Sequence, residues 1–349
     1  MTDATLATEP SRWSDTQKTE YVRREVTRAG VELRERHPWL KHQDAIGASI
    51  MAAAVLGMLA CAWAYIAGLL PAWACIPLAA IFASFTHELE HDLIHRMYFR
   101  NTPWAHNLML LVGWLARPST INPWIRRHLH LHHHKHSGTE TDLEERAITN
   151  GEHWGLRRFI MTGDGILAIL LRLHRAPNHR LRARMLIRGL VAYFPLGWLH
   201  WGTWYVFVGF HGSNLAGALF GFSPAWSAST LAMMDTVNVL AVVWIGPNVL
   251  RSFCLHFVSS NMHYFGDVED GNVVQQTQVL NTAWMLPFQL FCFNFGSTHA
   301  IHHFVVKEPF YIRQATADTG HRVLREVGVR FNDTGTFRRA NRYRQTATA

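Results

Sequence analysis

The chain has 349 residues, of which 49% are hydrophobic, 12% aromatic and 17% charged, and its net charge is +8. Soluble domains usually carry about 25% charged residues, so this composition excludes an ordinary soluble globule, a disordered chain and a disulfide-based scaffold. The charge is also unevenly distributed, because no Lys or Arg lies between Lys41 and Arg96 or between Arg188 and Arg251.

Residues 1–44 are polar and charged, unlike a secretory signal peptide, and we expect them to form a cytoplasmic segment. Residues 45–86 then contain no charged side chain. A helix of this length would reach about 63 Å at about 1.5 Å per residue, twice the roughly 30 Å of a bilayer's hydrocarbon core. The segment therefore predicts two membrane spans, 45–70 and 71–94, with Pro71 at the hairpin between them.

A second apolar region covers residues 189–250 and predicts two further spans, 189–210 and 229–250, separated by a polar loop at 211–228. Every Lys and Arg then falls on one side of the membrane, which the positive-inside bias identifies as the cytoplasmic side. We therefore predict an all-α, multi-pass membrane bundle of about four spans plus interfacial helices. Both termini are cytoplasmic, and residues 306–349 form a basic tail. The basic segments predict contact with anionic membrane lipid rather than with nucleic acid.

Histidine is unusually frequent, with 23 residues against four cysteines, and most histidines fall in four groups near predicted span ends. In chain order the groups are His87, His91 and His95; His128, His130, His132, His133, His134 and His136; His256 and His263; and His299, His302 and His303. Residues four apart share one face of a helix, so the first group forms a stripe. The predicted topology places all four groups at the cytoplasmic face, as a cap on the bundle.

Clustered imidazoles predict a metal site, because neutral histidine is a common nitrogen ligand of iron, zinc, copper and nickel. The histidines outnumber the ligands that one ion can take, so two metal ions are the natural interpretation. The four cysteines are scattered without a C-x-x-C pair, which argues against an iron–sulfur cluster or structural zinc. Haem needs one or two axial histidines rather than this spacing.

Taken together, the motifs resemble those of the integral-membrane di-iron superfamily of fatty-acid desaturases, alkane and fatty-acid hydroxylases, and desaturase-like fatty-acid decarboxylases. The resemblance rests on His87-x-x-x-His91, a second box in His128–His134, His263 after Asn261, and His299-x-x-His302-His303. It covers about residues 45–305, including the order of spans and boxes. The first and third motifs are especially similar to those of alkane hydroxylases, whereas the compact four-span layout is closer to the desaturases.

The resemblance implies that two iron ions are bound by histidines from all of these boxes. Outside the second box the implied ligands are His87, His91, His263, His299, His302 and His303. Within it, His130, His133 and His134 fit the desaturase spacing, and His128, His132 and His133 fit the hydroxylase spacing. The sequence leaves both registers open. We expect His95 and His136 to support the ligands or to lie on the path by which ions reach them.

The resemblance also implies an enzyme that uses O2 and external electrons to oxidise an unactivated C–H bond of a fatty acid or acyl chain. Desaturation is the leading expectation, with hydroxylation and oxidative decarboxylation of a free fatty acid to a terminal alkene as alternatives. The sequence contains no haem, rubredoxin or dinucleotide-binding motif. A separate donor of the ferredoxin, rubredoxin or cytochrome b5 type, with its reductase, is therefore expected.

Two other classes of protein are remote alternatives. The sequence from His87 to His91 matches the H-E-x-x-H motif of zinc hydrolases, although a catalytic zinc needs only three protein ligands. A metal transporter would place ionisable residues along a path through the membrane, and only Asp235 lies inside a predicted span in this way.

Overall fold

The computed structural model describes residues 10–148 and 151–344, and the regular structure of these residues is helical. The helices are α1 (Asp15–Arg36), α2 (Gln43–Ile66), α3 (Ala72–Ile94), α4 (Pro103–Ala116), α5 (Pro123–His136), α6 (Leu143–Ala147), α7 (Leu156–Gly163), α8 (Gly165–Arg172), α9 (His179–Tyr193), α10 (Leu196–Phe220), α11 (Ala228–Met262), α12 (Val273–Gln276), α13 (Leu286–Gln289), α14 (Phe295–Phe304), α15 (Phe310–Ala315) and α16 (Ala317–Glu326). The predicted all-α membrane bundle is confirmed.

Three helices, α2, α3 and α11, are long and apolar enough to cross a membrane. On α2, Leu59 and Trp63 are among the exposed apolar side chains, as expected of a surface that faces lipid. Helix α11 has 35 residues, including a π-helical segment at Ala241–Ile245. At about 1.5 Å per residue it is about 52 Å long, so one end extends beyond a hydrocarbon core of roughly 30 Å.

The second apolar region is divided differently from the prediction. Helix α9 ends at Tyr193 and α10 begins at Leu196, because Pro195 between them has no N–H with which to continue a helix. Helix α10 then continues to Phe220, so the connection to α11 is shorter than the predicted loop at 211–228. The 25 residues of α10 contain no Lys, Arg, Asp or Glu. A fourth span at this helix remains a prediction.

The described parts of both terminal segments pack into the protein instead of forming separate extensions. Val22 and Val26, one turn apart on α1, are buried in the same apolar core as Ile301 of α14. The predicted basic tail contains α15 and α16, and Val323 of α16 is fully buried in this core. All ten residues of α14 are buried, so the surrounding helices fix its position.

A close approach of α2 to α3 gives a test of this packing. A Cβ atom on Gly57 of α2 would lie 2.5 Å from Cδ1 of Phe82 on α3, whereas one on Gly202 of α10 would meet no atom within 4 Å. We expect Gly57→Val to lower the free energy of unfolding by about 1–3 kcal/mol, because the added side chain would overpack the contact between the two helices. Thermal unfolding in detergent micelles measures the effect, with Gly202→Val as the matched control. Equal destabilisation by the two substitutions would contradict the packing described here.

Candidate metal centre

Four segments of the chain converge at one place: the end of α3, helix α5, the residue after α11, and helix α14. They bring together nine histidines, which are His91, His95, His130, His133, His134, His263, His299, His302 and His303. The nine form a group of five and a group of four. Each histidine of a group contributes one ring nitrogen, and these nitrogens all lie within 4.8 Å of one another.

The five-histidine group joins α3, α5 and α14. Nε2 of His302 lies 3.1 Å from Nε2 of His95 and 3.0 Å from Nε2 of His134. Nε2 of His130 lies 3.0 Å from Nε2 of His95 and 3.1 Å from Nε2 of His134. The ring of His91, the fifth member, is 4.2 Å from that of His302, and both its nitrogens are buried without a hydrogen-bond partner among the described residues.

The four-histidine group is built from α5, α14 and His263, which follows α11. Nε2 of His303 lies 3.4 Å from Nε2 of His263 and 3.3 Å from Nε2 of His299. The ring of His133 is 5.2 Å from the rings of both His263 and His303. The two groups are direct neighbours, since the rings of His134 and His303 are 4.9 Å apart.

Hydrogen bonds on the outer side of the rings fix their orientation. Nδ1 of His130 donates to Glu144 and Nδ1 of His133 donates to Asp142, each at 2.8 Å. Nδ1 of His303 donates to the side-chain oxygen of Gln276 at 3.2 Å. A neutral imidazole with its proton on Nδ1 has a lone pair on Nε2. The inward nitrogens of His130 and His303 therefore present lone pairs, which is the arrangement that a metal cation requires, and that of His133 does so once its ring is neutral.

Burial keeps most of these rings neutral, in the form that binds metal. It lowers the pKa of His130, His134, His299, His302 and His303 well below the usual value. Burial also lowers the pKa of His95 and of His263 to about 3 in each case. His133 differs: burial lowers its pKa, but the charge of Asp142, the hydrogen bond to Asp142 and the charges of Glu145 and Glu144 together raise it to about 9. A bound cation would replace that proton.

A layer of buried ion pairs holds the histidine-bearing helices in place. Arg313 of α15 lies 3.2 Å from Asp92 and 3.5 Å from Glu88, both on α3. Arg126 of α5 bridges Glu90 of α3, at 2.8 Å, and Glu144, at 3.3 Å. Because Glu144 also binds His130, this chain of contacts connects α3 to an inward-facing ring.

The predicted site residues are not all in the two groups. His130, His133 and His134 of the desaturase register are included, whereas His128 and His132 are exposed and lie outside both groups. His136 lies 3.0 Å from Asp270 in an exposed pair.

His87 is buried but belongs to neither group, and its Nδ1 lies 3.4 Å from Arg117. The H-E-x-x-H pair of a zinc hydrolase, His87 with His91, therefore does not converge on one point.

His95 lies inside the five-histidine group, whereas the sequence predicted only a supporting place for it. His87, His91 and His95 are spaced evenly, so the spacing could not tell which neighbouring pair approaches the other helices. The three residues cover about 12 Å of helix, too far for all of them to reach one ion. Gln276 was not predicted at all, because it is the last residue of the short helix α12 and has no motif around it.

A cavity of about 130 Å³ lies directly beside the two groups. Its walls include four of the nine histidines, His91, His130, His133 and His299. Apolar side chains, among them Leu129, Ile148, Met161, Leu255 and Phe295, form much of the remaining wall. The candidate centre is thus open on one side to a largely apolar space that can hold part of a hydrocarbon chain.

Comparison with known proteins agrees with this geometry. The chain matches the fatty acid desaturase family over residues 67–335, which include all nine histidines of the two groups. No curated protein matches the chain. The match covers more than half of the sequence, and the histidine groups and apolar helices fit the histidine-rich membrane superfamily that the motifs resemble. The chain therefore belongs to the fatty acid desaturase family of membrane-bound oxidoreductases.

Proposed function

We propose that the chain is a di-iron oxidoreductase that desaturates a fatty acid or acyl chain. In this proposal one iron is held by His91, His95, His130, His134 and His302, and the other by His133, His263, His299 and His303. The observation that carries the proposal is the convergence of nine buried or half-buried imidazoles in two adjoining groups. Two irons bound there would supply the chemistry that activates O2 and breaks an unactivated C–H bond.

The residues present suit such ions. The donors are imidazoles, which iron accepts, and three of them are held in orientation by hydrogen bonds at Nδ1. The unpartnered nitrogens of His91 also favour a cation, because a buried ring nitrogen without a partner costs about 1–3 kcal/mol.

The protein's part in the reaction is to orient the chain and exclude water. The apolar wall of the cavity would hold two adjacent methylene groups beside His91 and His299 and keep them dry. In desaturation these carbons each lose one hydrogen, and O2, two electrons and two protons become two molecules of water. The electrons would come from a separate ferredoxin, rubredoxin or cytochrome b5 type donor with its reductase, and the basic face of the protein would attract an acidic donor.

Product analysis tests the proposed reaction. The full chain in nanodiscs, loaded with ferrous iron, is supplied with O2, a ferredoxin with its reductase, and saturated free fatty acids. We expect an O2-dependent product with one double bond, and no product from His302→Ala or His263→Ala. His132→Ala, which changes an exposed histidine outside both groups, is the matched control and should retain activity. A hydroxylated or decarboxylated product would contradict desaturation, and the absence of any O2-dependent product would contradict the oxidase.

The first box gives a separate test of the ligand assignment. His95→Ala removes a member of the five-histidine group and is expected to lower the iron content per chain. His87→Ala removes a buried histidine that belongs to neither group and should leave the iron content unchanged. Elemental analysis of the purified variants measures the difference. Loss of iron from His87→Ala with retention in His95→Ala would reverse the assignment.

The carboxylate of Asp142, which accepts the hydrogen bond from His133, is expected to strengthen metal binding. Asp142→Asn removes the charge that holds the ring and is expected to weaken iron binding by about 10–100-fold. Asp270→Asn removes the exposed partner of His136 and is the control. Competition with a chelator gives the two affinities. An equal effect of the two substitutions would show that Asp142 does not support a ligand.

A further inference from the structure

One part of the cavity wall carries polar groups that the proposed chemistry leaves unused. His87 lines the cavity, is 2% exposed, and has no hydrogen-bond partner for its Nε2 among the described residues. The guanidinium of Arg117 donates to Nδ1 of His87 at 3.4 Å. The proton of the neutral ring is therefore on Nε2, the atom without a partner. Ser119 lines the same cavity and is 4% exposed.

Behind Ser119 lies a buried cation without a counter-ion. Arg251 of α11 is fully buried, and its Nη2 donates to Ser119 at 3.2 Å and to Ser252 at 2.8 Å. Its Nη1 has no hydrogen-bond partner, and no carboxylate of the described residues lies within 4 Å of its guanidinium. A buried charge is costly unless it is paired, so this arrangement favours an anion nearby.

The neighbouring charges do not neutralise Arg251. Arg117 and Arg126 share the carboxylate of Glu90. Glu144, which also lines the cavity, binds Arg126 and His130. Glu145, a second lining carboxylate, lies 3.5 Å from the His263 ring in the four-histidine group. Glu88, which lies 3.9 Å from Nε2 of His87, also lies 3.5 Å from Arg313. The neighbouring carboxylates thus contact other groups, and Arg251 has no carboxylate of its own.

We propose that His87, Ser119 and Arg251 form a binding site for the carboxylate of a free fatty acid. Nε2 of His87 and the hydroxyl of Ser119 would donate to the carboxylate, and Arg251 would supply the charge behind them. The cavity is close in volume to an engineered cavity of about 150 Å³ that binds benzene. It has room for a carboxyl group with a few carbons but not for a carrier or a lipid headgroup. This inference rests on the proposed function for the identity of the reaction.

The site also determines which carbons face the metal centre. The rings of His87 and His91 are 6.4 Å apart on α3, one helical turn from each other. A carboxylate bound at His87 therefore places the carbons closest to the carboxyl group beside His91. The oxidised position should lie near the carboxyl end of the chain and not at its middle.

A ligand series with one alkyl chain tests the carboxylate site. The iron-loaded full chain in nanodiscs is titrated without O2 with a saturated fatty acid, its methyl ester, its primary alcohol and the alkyl phosphate. We expect the acid to bind about tenfold or more tightly than the ester and alcohol, since a hydrogen bond to a charged group contributes about 1.5–3 kcal/mol. Equal binding of acid and ester would overturn the proposal. Tighter binding of the phosphate would assign the site to a phosphorylated ligand and would overturn it as well.

Substitutions locate the preference in the structure. Arg251→Gln and Ser119→Ala should each reduce the acid-to-ester ratio toward one. Arg127→Gln should preserve it, because Arg127 follows Arg126 on α5 but binds the carbonyl of Leu93 and does not line the cavity. Should Arg251→Gln not fold, the wild-type series and Ser119→Ala still decide the question. A ratio that survives in both Arg251→Gln and Ser119→Ala would contradict the assignment.

The outcomes for this site and for the proposed reaction can be told apart. Binding is measured without turnover, so a preference for the acid stands even if no oxidised product is found. Where a product forms, mass spectrometry of its fragments gives the oxidised carbon. Oxidation near the carboxyl group supports the orientation, and oxidation at mid-chain overturns it while leaving the oxidase intact.

Discussion

The lone pairs of buried imidazoles impose the main constraint on this structure. Ring nitrogens of His95, His130, His134 and His302 approach to 3.0–3.1 Å, and the outer hydrogen bond of His130 leaves its inward atom without a proton. Such atoms repel one another unless a cation or a shared proton lies between them. Either metal binds here, or the protein spends free energy to hold the rings together.

The rest of the fold supplies that free energy. Helix α14 carries three of the nine histidines, is buried along its whole length, and packs its Ile301 in the same core as Val22 and Val323, which lie near the two ends of the chain. Arg313 and Arg126 connect α15 and α5 to carboxylates on α3. The cavity shares four histidines with the centre, so the packing that positions the rings also shapes the space for a substrate.

Much of this organisation could be predicted from sequence. The uncharged block at residues 45–86 predicted α2 and α3, and histidine spacing predicted which segments meet. The sequence could not distinguish His87 from His95, because both are four residues from His91 and only the packing of α5 and α14 selects between them. It also missed Gln276, which ends a helix of only four residues that carries no motif. The apolar block from residue 189 also did not indicate the break at Pro195 that separates α9 from α10, because hydropathy does not register the missing N–H of proline.

The proposed function requires two irons in different surroundings, one in each histidine group. Elemental analysis of the purified full chain, combined with Mössbauer spectroscopy after loading with 57Fe, tests it most directly. We expect two irons per chain and two nitrogen-ligated signals of equal area, one for the five-histidine group and one for the four-histidine group. A single iron per chain, or zinc bound in preference to iron, would contradict it.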